Sequence, residues 1–479
     1  MVRGPDFHVQ PPGGPGQPRR TTRRVIIHAP PGPGRPLRLW STLSIGIGGM
    51  IGGGIFAVTG LAIELTRGAV PIAFAVAGVV ALLTAYSYLK LTLRYPSRGG
   101  TVEFINRAYG SGVFTGTLSI LLCLSYVVLL AVYAYAFGAY GAGLIGAVPG
   151  PILRDALGSG VLVALAAVNF FSPHLVVRSE NLFNVLKLTL LAAFVLAGLI
   201  APAHWGRLAP AGFVGPWPLF SGAMIIFLNY EGFELIANAA PDVEHPRRTL
   251  PIAYLGGVSI VLVAYVLIAL VTVAHLDFAA AARHSDNVLA AAAARFLGAP
   301  GAVLIALAAL LATSSAINAT FYGSGRLTYL IARYGELPAE FEHNIRNQPV
   351  EGLAAFLILA LLILNLVPLN AIATMGSAGF LLVFAAVNLA CLRLAGEVGA
   401  SRILALAGVI ACAGAFVALV AQIAANPATR GQVGVLAGMI ALSWFIEVVY
   451  RGVTAREVHM GHRTAPALTE PLPRGGRRP

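Results

Sequence analysis

Residues 41–65, STLSIGIGGMIGGGIFAVTGLAIEL, decide how the rest of this chain is read. The stretch is long and apolar enough to cross a bilayer, yet six of the nine residues from Gly46 to Gly54 are glycine. Each glycine weakens a helix interior by roughly 0.5–1 kcal/mol relative to alanine. A run of them predicts that the backbone leaves the helix near mid-membrane. Freed N–H and C=O groups at that depth are tolerated only against protein or a water-filled cavity. The sequence therefore predicts a broken helix that offers backbone groups to a small polar solute.

The surrounding chain agrees with a membrane setting. Of its 479 residues 57% are apolar and 11% charged, against about 25% charged in soluble domains. Windows of about 20 apolar residues fit twelve times, at 41–65, 70–93, 113–144, 157–173, 181–201, 217–240, 251–275, 299–331, 351–368, 370–394, 402–424 and 432–450. With the N-terminus inside, the inner segments hold 26 of the 32 Lys and Arg residues. That asymmetry predicts cytoplasmic termini in a cytoplasmic-membrane protein and explains the net charge of +13 without nucleic acid. Residues 1–39, rich in Pro, Gly and Arg, read as a disordered cytoplasmic tail and not a signal peptide, and 451–479 as a cytoplasmic C-terminal tail. Cys123, Cys391 and Cys412 lie inside apolar spans and read as packing residues, with no metal site expected. The histidines fall in tails, loops or span ends, which argues against a histidine proton relay.

Several polar features interrupt the apolar spans. Segment 94–112 is too polar to span; Val102, Phe104, Ile105 and Ala108 fit one face of a short interfacial gate helix, against the plainer reading of a basic loop that sets topology. Span six carries Asn229-Tyr230-Glu231-Gly232-Phe233-Glu234 near its middle, and intramembrane acids are functional by default; for Glu234 the alternative is pairing with freed backbone N–H groups. Span five carries Lys187, either a snorkelling lysine or a group that gains and loses a proton. Span eight places Thr313, Ser314, Ser315 and Asn318 on one face, for ligand contact or for hydrogen bonding between helices. Tyr126, Tyr133 and Tyr322 are candidate pocket walls, and Glu447 and Arg451 an inner-end ion pair. No catalytic motif appears, so no enzyme is expected.

Spans one and six, both interrupted, stand five helices apart, which is the spacing of an inverted five-helix repeat with a midplane site. Half-helix N-termini attract a carboxylate and unwound carbonyls an ammonium. A zwitterionic amino acid fits both.

GGMIGGGIFAVTG (48–60), YPSRGGTVEFINRAYG (95–110), NYEGFELIANAAPDVEHPRRTLPIA (229–253) and INATFYGSGRLTYLIARYGELP (317–338) together resemble the amino acid–polyamine–organocation superfamily of permeases. The resemblance implies an all-α integral membrane protein with 12 transmembrane helices in the leucine-transporter fold: repeats at 40–201 and 217–394, two extra helices at 402–450, and helices 1 and 6 broken. It implies that the substrate carboxylate meets N–H groups of Gly52, Gly53 and Gly54, and that the amino group meets carbonyls near Met50, Ile51, Leu228 and Glu231. Asn229, Tyr126 and Asn318 complete the expected substrate site. Glu234 matches a glutamate that takes part in proton coupling in some members. Lys187 matches a lysine that sodium-independent members place where sodium binds in relatives, with Gly48, Ser314 and Ser315 as neighbours. The resulting expectation is a proton-coupled amino acid symporter with no cofactor and no sodium requirement, carrying a small or medium neutral amino acid. A sodium-independent exchanger and an amino acid sensor that transports nothing are the alternatives.

Overall fold

The glycine run breaks the first span. Helix α1 (Leu39–Met50) ends at Ile51, α2 (Gly54–Thr66) starts three residues later, and the two axes are bent by 44°. The computed structural model describes residues 36–454, apart from 146–149, 172, 211–212, 334–343 and 346–347. Most of both tails therefore lies outside the described residues. The expected tail boundary moves, however. Leu37 pairs in parallel with Val243, its N–H donating to the Asp242 carbonyl at 2.7 Å and its own carbonyl accepting from the Glu244 N–H at 2.8 Å. Arg98 reinforces this pairing through both Asp242 carboxylate oxygens, at 3.1 and 3.2 Å. The chain is thus tied down just before α1 begins.

Helix α3 (Val70–Arg94) leads into α4 (Gly100–Tyr109), where Val102, Phe104 and Ile105 are buried, Ala108 is half-buried and Arg107 is exposed. Segment 94–112 is therefore a short amphipathic helix and not a plain loop. Helix α5 (Val113–Leu144) is the central strut: 89% of its apolar window is buried, against 22% for the peripheral α6 (Pro151–Phe171). After α7 (Pro173–Ile200) comes the second broken span. Here α8 (Pro216–Ile225) tightens into a 3₁₀ turn at Ile226–Tyr230, and the chain turns again before α9 (Leu235–Ala239).

The seventh span starts earlier than expected, at Pro246 in place of residue 251. Pro246 occupies a first-turn position of α10 (Pro246–Pro251), where its missing N–H costs nothing. Pro251 then removes a hydrogen bond, and the ladder shifts to a π turn at Ile252–Gly256 before α11 (Gly257–His275) continues. Asp277 caps α12 (Phe278–Arg283) by accepting from the Ala280 N–H at 2.7 Å. The long α13 (Val288–Arg333) breaks at Gly298, where φ is +68° ahead of Pro300. The remaining helices are α14 (Val350–Leu366), α15 (Leu369–Arg393), α16 (Ala395–Val398), α17 (Arg402–Ala425) and α18 (Gly431–Thr454). Among the described residues ten helices are long and apolar enough to cross a membrane, and the bent α1–α2 pair makes eleven. The ninth expected span is the shorter α14.

Helix α5 packs against α6, α13, α14, α15 and α18, while α1 packs against α9 and α11. At the α5–α18 contact the expected Glu447–Arg451 ion pair forms, with the Glu447 carboxylate fully buried against Gly116. A Cβ at Gly116 would fall on that carboxylate. Gly116→Val is therefore expected to destabilise the protein by roughly 1–3 kcal/mol, read as a lower melting temperature in detergent. Gly434→Val, where a Cβ meets nothing within 4 Å, serves as the control; equal melting of the two variants would contradict the packing described.

Candidate functional site

The two breaks meet backbone to backbone. In the first, the Gly52 N–H turns back onto the Met50 carbonyl at 2.8 Å, and the ladder resumes with Ala57 N–H to the Gly53 carbonyl at 2.9 Å. The amides of Gly54, Ile55 and Phe56 therefore sit in the first turn of α2, where no intrahelical acceptor exists and the helix end carries partial positive charge. In the second break Gly232 has φ +124°, a conformation open essentially to glycine. A Cβ on Gly232 would fall on the Gly49 carbonyl carbon and the Met50 amide nitrogen, and one on Gly49 would stand 3.0 Å from the Gly232 Cα. Both glycines are needed because no side chain fits between the two strands of backbone.

Side chains from other helices hold each break open. Ser377 on α15 accepts from the Leu228 N–H at 3.2 Å and donates to the Ile225 carbonyl at 2.8 Å. Glu234 accepts the Gly232 N–H on Oε2 at 2.7 Å and the Tyr126 hydroxyl on Oε1 at 3.1 Å. The Tyr265 hydroxyl on α11 lies between the breaks, 2.6 Å from the Met50 carbonyl oxygen and 3.0 Å from that of Asn229. One carbonyl from each broken span thus converges on a single donor. Neither Ser377 nor Tyr265 is among the residues expected from sequence. Each is one ordinary residue in an apolar helix, and only the fold brings it to the breaks.

Asn229 and Glu231 are each 1% exposed. Among the described residues, neither side-chain polar atom of Asn229 and neither carboxylate oxygen of Glu231 has a hydrogen-bond partner. The Asn229 side-chain oxygen lies against Gly54, over the start of α2. Buried polar atoms without partners are rare; four of those among the described residues belong to these two side chains at the second break, and others lie elsewhere, as at Ser87, Thr117 and Asn388.

Lys187 does not snorkel. It is fully buried, and Nζ donates to the Gly48 carbonyl at 2.9 Å, one turn before the first break. The neighbouring Asn184 packs on Gly48 and donates to Ser44 Oγ at 3.2 Å, so α7 grips α1 at two places. On α13, Thr313 and Ala316 close over Gly53 and Gly52, together with Tyr133 of α5; Ser315 is buried and Ser314 half-buried on the same turn. Asn318 turns elsewhere: its Oδ1 accepts from Asn169 Nδ2 of α6 at 2.6 Å. A cavity of about 20 Å³ lies beside the breaks, lined by Gly49, Gly232, Glu234, Tyr126, Tyr133 and a face of α13 running from Ala316 to Leu327. It has room for about one water. Asn318 and Tyr322 are not part of its lining.

These long apolar helices, two of them lines of backbone broken at a common point, define a multi-pass helical membrane protein. The chain belongs to the amino acid permease family of the amino acid–polyamine–organocation superfamily, whose family model matches residues 37–446. It is 35% identical over 427 residues to an uncharacterized protein of Methanocaldococcus jannaschii, covering 88% of this chain and 97% of that one. It is 34% identical over 381 residues to the inner membrane transport protein YbaT of Escherichia coli, covering 78% and 87%. It is 25% identical over 383 residues to the branched-chain amino acid permease BcaP of Bacillus subtilis, covering 75% and 81%.

Tyr265→Phe removes the one donor shared by Met50 and Asn229. Met50 keeps the Gly52 N–H, but taking this partner from the buried Asn229 carbonyl is expected to cost about 1–3 kcal/mol, read as a lower melting temperature. A variant that melts with the wild type would show that Tyr265 does not tie the breaks together.

Proposed function

We propose that this protein is a secondary active transporter that carries a small or medium neutral amino acid across the cytoplasmic membrane, by alternating access and in symport with protons. The reading takes the chain as twelve spans of the leucine-transporter fold, with inverted repeats at 40–201 and 217–394, two further helices at 402–450, and both termini cytoplasmic. The observation that carries it is the meeting of the Met50 and Asn229 carbonyls on one donor, beside the positive start of α2. Carbonyls that accept a hydroxyl proton are equally suited to an ammonium, and the amides of Gly53 and Gly54 to a carboxylate; the Gly52 amide, expected to join them, is turned back onto the Met50 carbonyl. A cavity of about 20 Å³ admits no amino acid, so loading requires the helices around the breaks to move.

In this reading Lys187 supplies, at the Gly48 carbonyl, the positive charge that a bound cation supplies in sodium-driven relatives. Its loss and gain of a proton couples transport to the proton gradient, and Glu234 relays the change to the second break through Gly232. If Lys187 is instead a permanently charged strut, the same site works as a sodium-independent exchanger; its hydrogen bond to the Gly48 carbonyl, which a fixed ammonium makes without changing its protonation, supports this as the second reading.

Purified protein in liposomes separates the two. Uptake of radiolabelled amino acid that rises with an inward proton gradient, without sodium, is the expected result; uptake only from vesicles preloaded with unlabelled amino acid would replace symport by exchange. Lys187→Ala is expected to abolish gradient-driven accumulation while substrate binding stays measurable, and accumulation at the wild-type level would end its coupling role. At Gly53 a Cβ would stand 2.6 Å from Tyr133 Cδ1 and 2.8 Å from Thr313 Cγ2. Gly53→Val should therefore lower substrate affinity at least tenfold by calorimetry, and unchanged affinity would move the site away from the break.

A further inference from the structure

The end of the molecule that carries α4 holds a basic surface with no part in the transport reading. The guanidinium carbons of Arg94 and Arg107 stand 5.7 and 5.6 Å from the centre of the Tyr95 ring, and that of Arg393 stands 5.0 Å from the centre of the Tyr109 ring. These are cation–π distances. The two rings belong to one surface. The Tyr95 hydroxyl donates to Glu397 at 2.7 Å, four residues beyond Arg393, and the Tyr109 hydroxyl donates to the Ala386 carbonyl of α15 at 2.8 Å. Lys90 extends the surface along α3, donating to the Gly399 carbonyl at 2.9 Å.

Two carboxylates, Glu103 and Glu397, stand among the four cations Lys90, Arg94, Arg107 and Arg393, which leaves the surface net positive. Glu103 pairs with Arg107 at 2.8 Å, and Glu397 accepts from Tyr95. Among the described residues, Lys90, Arg94 and Arg393 have no carboxylate within ion-pair distance. Burial and the bond to Glu397 push the Tyr95 hydroxyl up to about 12, and burial takes Tyr109 to about 12. Both phenols stay neutral near pH 7, so the surface keeps its positive charge. An apolar edge adjoins it. Phe114 stacks edge-on against Tyr109 with ring centres 5.0 Å apart and is 54% exposed, and Val113 is 38% exposed.

The ligand chemistry that suits unpaired guanidinium and ammonium groups is a phosphate ester. The exposed Phe114 and Val113 beside them suit the acyl region of a lipid and add nothing for a free phosphate. We propose that Lys90, Arg94 and Arg393, backed by Tyr95, Tyr109 and Phe114, form a headgroup site for an anionic phospholipid. A lipid held there spans the ends of α3 and α4 on one side and the α15–α17 connection on the other. It would fasten α4 against the helices on which it rests. The inference is independent of the transport reading.

Full-length protein in detergent, measured by native mass spectrometry, tests it with phosphatidylglycerol, phosphatidylcholine and inorganic phosphate as probes. Retention of phosphatidylglycerol over phosphatidylcholine is expected. Each removed charge is expected to weaken it about fivefold, so Arg94→Gln with Arg393→Gln should lose about 25-fold. Equal retention of the two lipids would overturn the proposal, as would unchanged phosphatidylglycerol binding by the double variant. Inorganic phosphate that displaces phosphatidylglycerol at equal concentration would reassign the surface to free anions. Should the double variant melt early without lipid, Arg393→Gln alone, at an exposed position, decides by the same fivefold criterion.

Discussion

The contact between the backbone at Gly49–Met50 and the backbone at Gly232 is the constraint on which this structure rests. Two helices normally keep their axes 8–10 Å apart because side chains fill the space between them. Where both lack a Cβ, main chain meets main chain, and each loses the regular ladder that would have satisfied its amides and carbonyls. In a membrane that loss is expensive unless partners are supplied. Much of the surrounding architecture can be understood as the supply of those partners.

The supply comes from helices that are themselves regular. Ser377 on α15 satisfies the 3₁₀ turn, Tyr126 on α5 holds the Glu234 carboxylate that in turn caps Gly232, and Tyr265 on α11 serves both breaks. Lys187 on α7 secures the last turn of α1 through Gly48. Each contact runs from a continuous helix to an interrupted one, a division between regular frame and irregular backbone. It matches the physical requirement that a precise site be built on elements that do not move independently.

The breaks themselves were legible in the sequence because glycine and intramembrane acids are conspicuous in apolar spans. The amphipathic α4 was legible for a similar reason: Val102, Phe104 and Ile105 keep helical spacing in an otherwise polar segment. What was not legible depends on distant partners. Tyr265 looks like any packing aromatic until Met50, 215 positions away, is brought to it, and nothing local shows that the Asn318 oxygen meets Asn169, 149 positions away. The earlier start of the seventh span followed from Pro246, which reads as a loop residue although a proline in a first turn is compatible with helix. The pairing of Leu37 with Val243 had no local signal at all, since three extended residues carry no periodicity.

The density of hydrogen bonds around the breaks also constrains how such a site can change. On the proposed function, the Tyr265 hydroxyl occupies the carbonyls that an ammonium would use, so a charged ligand would enter by exchange of one donor for another and not by filling unused acceptors. A hydrogen bond to a charged group is worth more than one between neutral groups, about 1.5–3 against 0.5–1.5 kcal/mol. On that reading the difference is small enough for the exchange to be reversible, and its sign favours the ammonium. Asn229 and Glu231, buried with no hydrogen-bond partner among the described residues, would on that reading add polar atoms for an incoming ligand to satisfy. On that reading the same backbone groups would serve both the closed and the loaded state.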